Sequence, residues 1–241
     1  MSKFVITATW EDVPHLSEET KAELLAGIPP YQRDARTKGI PQLGSGAIYP
    51  VPEQDILIND FPIPSWYPQG FAMDVGWNRT AALWGALDRE KDILYLTHEH
   101  YRGQAEPIVH STAIKAPGGW IPGVIDPAAR QRSQKDGVRL MQTYIDLGLN
   151  LHKALNAVES GIYLVWQRLS TGKLRVFRSL SNWLLEYRVY QRDVDGQIVK
   201  ENDHLMDCMR YLVVSGIARM ITQPFDEVAN QRPPRVVSAW G

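Results

Sequence analysis

Residues 71–88, FAMDVGWNRTAALWGALD, decide how this chain folds. Residues 71–76 read as a strand in which one acidic residue, Asp74, is set among apolar neighbours. A carboxylate in that setting is costly unless something compensates its charge, so Asp74 calls for a partner. Residues 80–87 read as a second strand, and 93–101 as a third after the turn Asp88-Arg89-Glu90-Lys91-Asp92. Short links between runs of this kind predict an antiparallel meander.

The pattern then changes period. Residues 104–115 read as a helix, ended by Pro117-Gly118-Gly119, and 120–125 as a short apolar strand closed by Asp126-Pro127. A helix over 133–147 has Val138, Met141 and Ile145 at core spacing and stops at Gly148. A strand at 151–155, a helix at 158–169, a strand at 174–177 and a helix at 183–190 follow. Asp195-Gly196 is a hairpin signal, and the last strong helix covers 203–220. Upstream, Ser17 caps a short helix, and a run of prolines and glycines from Pro29 to Pro68 marks a connecting arm. The organisation predicted is an arm over 1–69, a main folded domain over 70–222 and a tail over 223–241.

Strands alternating with helices after an initial meander specify an α/β fold. The sheet is mixed, an antiparallel three-strand meander followed by parallel strands, with helices on both faces. That order is similar to a ribonuclease H-like fold. A crossover to a parallel strand places the end of strand 120–125 beside the first strand, so Asp126 and Asp74 become neighbours despite their separation in sequence.

Composition narrows the function classes. At 241 residues with 44% apolar and 22% charged residues, the chain is an ordinary globular protein with room for one sizeable core. Its net charge of -1 provides no global basic field to attract a polyanion. No run of about 18 apolar residues predicts a membrane span, and the N-terminus lacks the layout of a secretory signal. The single cysteine, Cys208, excludes an internal disulfide framework and a CxxC zinc site, so a reducing, cytoplasmic setting is expected. No G-x-x-x-x-G-K-[ST] motif occurs, so the chain is not expected to hydrolyse ATP by itself.

Three acidic positions stand out by context: Asp74 in its strand, Asp126 ending GVIDP, and Asp203 and Asp207 in NDHLMDCMRYL with His204 between them. Residues four apart share a helix face, so Asp203 and Asp207 point the same way. Carboxylates of this kind suit Mg²⁺ or Mn²⁺, and two such ions about 3.5–4 Å apart can drive phosphodiester hydrolysis. Plainer readings stand beside this one: Asp126 as a turn former before Pro127, Asp203 as a helix N-cap, and Asp207 as a surface residue facing Arg210 or solvent. Asp74, with apolar residues on both sides, resists such a reading. His98 and His100 read as surface histidines, Glu99 as an accessory carboxylate at best, and Trp166, Trp183 and Tyr187 as core. Two basic patches, Arg130, Arg132, Lys135 and Arg139, then Arg168, Lys173, Arg175 and Arg178, could hold phosphates or be solvated surface charge.

The ordered set FAMDVGWNRTAALWGALD, WIPGVIDPAARQRSQKDG and KENDHLMDCMRYLVVSG resembles the C-terminal nuclease domain of the large terminase subunit of tailed bacteriophages, of the headful-packaging type. RDARTKGIPQLGSGAIYPVPE, upstream, resembles the segment joining the terminase ATPase domain to its nuclease. The resemblance implies a ribonuclease H-like, divalent-metal-dependent endonuclease that cuts concatemeric double-stranded viral DNA during genome packaging, with little sequence preference. Carried over by motif, Asp74, Asp126 and Asp207 are catalytic metal ligands for two Mg²⁺ or Mn²⁺ ions, Asp203 and His204 are additional candidates, and Arg79, Arg130, Arg132, Lys135, Lys173 and Arg175 are DNA-holding cations. The implied partners are double-stranded DNA, the ATPase domain, the small terminase subunit and the portal, in the host cytoplasm and away from any membrane. The nucleotide-binding loop of a full large terminase is absent here, so the chain is expected to be an excised fragment or a split subunit. Two rivals are a resolvase- or transposase-type nuclease of the same fold, and a non-catalytic adaptor of a packaging complex.

Overall fold

The computed structural model describes residues 9–13, 15–27, 37, 46–126 and 136–224. The chain divides into two compact units, Met1–Pro50 with Arg188–Glu201, and Val51–Tyr187 with Asn202–Gly241.

In the smaller unit, helix α1 (Glu18–Gly27) begins where Ser17 Oγ accepts the Thr20 backbone N–H at 3.2 Å, the cap read from sequence. Ala47 bridges Gln191 antiparallel, Ile48 N–H donates to Tyr190 O at 3.0 Å, and the Tyr49 and Tyr190 rings lie 5.6 Å apart. Asp195-Gly196 forms the expected turn: Gly196 has φ +79°, and Asp193 Oδ1 accepts from the N–H groups of Asp195 and Gln197.

The larger unit is built on a seven-stranded sheet. Its strands are β1 (Leu57–Ile58), β2 (Gln69–Asp74), β3 (Thr80–Asp88), β4 (Ile93–Arg102), β5 (Gly123–Ile125), β6 (Leu151–Lys153) and β7 (Leu174–Phe177), in the order β1-β7-β4-β3-β2-β5-β6. β2, β3 and β4 form the antiparallel meander, with Asp74 opposite Ala81 and Ala81 opposite Tyr101. The other pairings are parallel. The mixed sheet expected from element order is thus the sheet found. β1, preceded by a single helical turn α2 (Glu53–Ile56), lies inside the breaker-rich stretch; two residues are too few to show a period.

Alternation along the strands sorts side chains onto two faces. On one face Phe71, Met73, Trp84, Ile125 and Leu151 pack with Ile114 of α3 (Pro107–Lys115) and Tyr144 of α4 (Asp136–Asp146). The opposite face carries α5 (Val158–Ser170) and α7 (His204–Tyr211). α6 (Ser181–Val189) is anchored at its N-terminus by Glu99, whose carboxylate accepts the Asn182 and Trp183 N–H groups at 2.9 and 2.8 Å. Trp183 is buried and stacks on Tyr187 at 4.8 Å, the core role expected of both. Gly123 is required by close approach: a Cβ there would lie 2.3 Å from the Phe71 ring.

The last helix differs from its expected span. The α-helix ends at Tyr211, and the chain continues as a wide π turn over Leu212–Gly216 and a 3-10 turn over Ile217–Arg219. Val213, Val214 and Gly216 are weak helix formers, and Ser215 Oγ accepts the Leu155 N–H at 2.9 Å. Among the described residues no helix is long and apolar enough to cross a membrane.

Candidate active site

β2 and β5 run parallel with Met73 beside Ile125, and the Asp126 N–H donates to Met73 O at 3.0 Å. The next residue on each strand is an aspartate. Asp74 and Asp126 therefore leave the sheet side by side at one edge, fixed by the backbone ladder and not by a loop. α7 crosses this edge with His204, Asp207 and Tyr211 at i, i+3 and i+7 on one face.

Each acid has a partner on α7. His204 Nδ1 lies 2.7 Å from Asp74 Oδ2; an ionised carboxylate only accepts, so Nδ1–H donates. The Tyr211 hydroxyl donates to Asp126 Oδ1 at 2.7 Å, and Arg210 Nη2 donates to Asp207 Oδ1 at 2.8 Å. The Arg210 guanidinium also sits 4.5 Å over the Tyr211 ring.

The electrostatics follow from crowding. Burial pushes the Asp74 carboxyl up, the His204 hydrogen bond opposes this, and the charges of Asp126 and Asp207 add to the rise. The Asp74 hydrogen bond lifts His204 against the effect of burial. Burial works against the Arg210 charge, yet Asp207 carries its pKa above the ordinary value. The Tyr211 phenol is pushed up by burial, then by Asp207 and Asp126. Cys208 is buried, its thiol is driven up first by burial, and its Sγ–H donates to Ala81 O at 3.6 Å. It packs in the core, as expected.

α7 is held in place by a residue with no sequence signal. Asp203 occupies the N-cap position but makes no side-chain cap hydrogen bond. Buried Glu186 of α6 does that work, accepting the Leu205 N–H at 2.6 Å. Burial raises the Glu186 carboxyl, while Tyr101 and the α7 N–H groups lower it. Tyr101 is itself raised by burial and then by Glu186. Arg79 stacks over the Tyr101 ring at 4.3 Å, and that ring lies 6.5 Å from the His204 ring. Arg79 thus stands at the rim of the acidic edge.

Of the other basic candidates, Lys173, Arg168 and Arg175 lie elsewhere. Lys173 and Arg168 both pair with Asp92 at 2.9 Å, and Lys173 O accepts the Leu94 N–H. From Leu94 to Tyr101 is roughly 23 Å of strand at about 3.3 Å per residue, so Lys173 is at the far end of the sheet from Asp74. Arg175 faces Tyr95 in register and donates to Asp55 O. Arg130, Arg132 and Lys135 lie outside the described residues. His100 is not a simple surface residue: its Nε2 meets His110 Nδ1 at 2.9 Å.

The donors brought together at the edge suit a hard divalent cation. Three carboxylates approach closely enough for Asp126 and Asp207 to disfavour the ionised form of Asp74, a repulsion that a cation relieves. Among the described residues no group of three or more His, Cys, Asp or Glu side chains is arranged as it stands to hold a metal ion; the carboxylates are turned toward His204, Tyr211 and Arg210. Tyr211, Glu186 and Tyr101 were not singled out by sequence. Arg210 was, as the residue that Asp207 faces, and the two pair at 2.8 Å.

Known proteins are similar to this chain in sequence and in fold. The terminase large subunit of Salmonella phage P22 is 32% identical over 231 residues, 91% of this chain and 46% of that protein. The P22 large terminase nuclease domain superposes with a TM-score of 0.69 at 29% identity, covering 74% of this chain and 95% of that one. The chain belongs to the terminase large-subunit family. It spans about half the length of the curated relatives it matches (46%), and the part it matches is the nuclease domain, whose ribonuclease H-like sheet it shares. The large terminase nuclease of thermophilic phage G20c, solved with bound cobalt, shares the fold at a TM-score of 0.51 and 12% identity, over 71% of this chain and 98% of that one. No protein-family model matches the chain.

Proposed function

We propose that this terminase nuclease domain is a divalent-metal-dependent DNA endonuclease that cuts concatemeric double-stranded viral DNA during packaging in the host cytoplasm, with little sequence preference. The observation that carries the reading is the pair of adjacent strand ends bearing Asp74 and Asp126, with Asp207 facing them from α7. Two Mg²⁺ or Mn²⁺ ions held by Asp74, Asp126 and Asp207 would activate water and stabilise the leaving oxygen. Strand-borne ligands suit that task because the sheet holds their backbones still. His204 orients Asp74 through its Nδ1–H, and Asp203 precedes it at the helix start as a further candidate ligand. Arg79 would meet a phosphate, a role supported by its stacking on Tyr101 at the rim. Arg130, Arg132, Lys135, Lys173 and Arg175 extend the DNA contact if the duplex runs along the domain. The ATPase half, the small terminase subunit and the portal are the proposed partners. The resolvase and adaptor readings have no observation of their own in their favour.

The test is nicking and linearisation of supercoiled plasmid with Mg²⁺, Mn²⁺ or EDTA, for the wild type and for Asp74→Ala and Asp126→Ala. Metal-dependent cleavage that disappears in both folded variants is expected. Equal cleavage by wild type and variants would overturn the site assignment.

A further inference from the structure

We propose that Tyr211 is a positioning residue whose hydroxyl aims the Asp126 carboxylate and sets the affinity of this edge for a divalent cation. The inference rests on the nuclease reading above. Asp126 lies one residue past β5, and its backbone is tied to Met73 by the 3.0 Å ladder bond. What remains undetermined by the sheet is the rotation of its side chain. The Tyr211 hydroxyl, on a residue only 3% exposed, meets Oδ1 at 2.7 Å and removes that freedom.

The chemistry of the donor matters as much as its place. A lysine or arginine would hold the carboxylate and also cancel its charge. A phenol is neutral: it holds the carboxylate by one hydrogen bond and leaves it anionic toward a cation. Its neighbour Arg210 does the opposite for Asp207, with a full positive charge at 2.8 Å. One helical step therefore gives the two carboxylates unlike partners.

Tyr211 is in turn held by construction. Arg210 lies against its ring and is seated in a slot on α5 where Gly161 has no side chain: a Cβ there would lie 2.8 Å from Arg210 Cγ. Arg210 Nη1 reaches Ala157 O at 3.5 Å, while its buried Nε has no hydrogen-bond partner among the described residues. A buried donor left unmatched is destabilising, so this arginine is poorly explained by stability alone. It is better explained by what it does for Asp207 and for the Tyr211 ring.

Tyr211→Phe tests the proposal, because it keeps the ring, its packing and the stacking of Arg210 on the ring face and deletes one oxygen. Mn²⁺ binding to the full chain is measured by titration calorimetry, alongside the melting temperature without metal and the KM and kcat for plasmid cleavage. The expected result is Mn²⁺ affinity weakened by roughly 10–100-fold, in line with losses of outer partners of metal ligands. The metal-free melting temperature falls modestly, as for the loss of one buried hydrogen bond, KM stays close to wild type, and kcat falls. Mn²⁺ affinity within about twofold of wild type would overturn the proposal even if Tyr211→Phe were less stable. Asp126→Asn separates the two levels of failure. If wild type binds no Mn²⁺, or Asp126→Asn binds it equally well, the nuclease-site reading fails and this inference with it. If Asp126→Asn loses Mn²⁺ and Tyr211→Phe keeps it, the inference alone fails.

Discussion

Replacing Asp207 by Ala should destabilise the fold as well as remove a candidate ligand, and the size of the effect can be worked out from its partner. The Arg210 side chain is 2% exposed and the Asp207 side chain 16%. Removing one member of a buried ion pair typically costs about 3–5 kcal/mol, because the other charge is stranded. Water reaches the Asp207 side, so the lower end or somewhat less applies, about 2–3 kcal/mol. At about 2–4 °C per kcal/mol for a domain of this size class, the melting temperature should fall by about 4–12 °C. Asp207→Asn keeps an acceptor for Nη2 and should lose about half as much. The decisive variant is Asp207→Ala with Arg210→Met, which removes the stranded charge and should recover most of the loss. Urea unfolding without divalent metal reads all of these directly. A loss below about 1 kcal/mol for Asp207→Ala, or no recovery in the double variant, would refute the idea that Asp207 is structurally bound to Arg210. The practical consequence is that inactivity of Asp207→Ala implicates catalysis only when folding is measured on the same sample.

Gly123→Ala places a methyl 2.3 Å from the Phe71 ring, so β5 must move away from β2; a loss of about 1–3 kcal/mol is expected by thermal melting, with plasmid nicking reduced because Asp126 moves too. Stability should also fall with pH through the His100–His110 pair, where burial, the neighbouring histidine and Arg102 hold His100 down to about 4. Because that value lies below the unfolded one of about 6.5, the unfolded chain takes up the proton first, and stability present above about pH 6.5 is lost as pH falls toward 4. After discounting for partial exposure this amounts to about 1–2 kcal/mol, read by urea unfolding between pH 7 and 4.5. His100→Gln, whose amide can donate to the same His110 Nδ1, should flatten that slope, and an unchanged slope would remove the assignment.

The meander was legible because its strands are long enough to show a pattern and are joined by short polar turns. The crossover that sets β5 beside β2 was legible from element order, and with it the meeting of Asp74 and Asp126. β1 was not, since two residues carry no period, and neither was the end of the last helix, where Val213, Val214 and Gly216 yield to the pull of tertiary contacts such as Ser215 with Leu155. The supports of α7 were harder still. Glu186 at the start of α7 and Tyr101 beside it are far apart in the chain, and nothing in their local sequence announces that burial will bring them together.

The same contrast explains how the edge tolerates its charges. Three carboxylates converging without a cation should push the strands and α7 apart, yet each has a different donor on α7: an imidazole for Asp74, a phenol for Asp126, a guanidinium for Asp207. His204 and Tyr211 lie on one face of that helix with Arg210 next to Tyr211, and the helix is in turn secured by Glu186. Seating the acids and positioning them for a metal are therefore one design. Loosening the start of α7 would disturb all three carboxylates at once, though Glu186 touches none of them. Glu186→Gln keeps an acceptor for the Leu205 N–H and Glu186→Ala does not. If α7 is what organises the edge, Mn²⁺ affinity should survive the first substitution far better than the second.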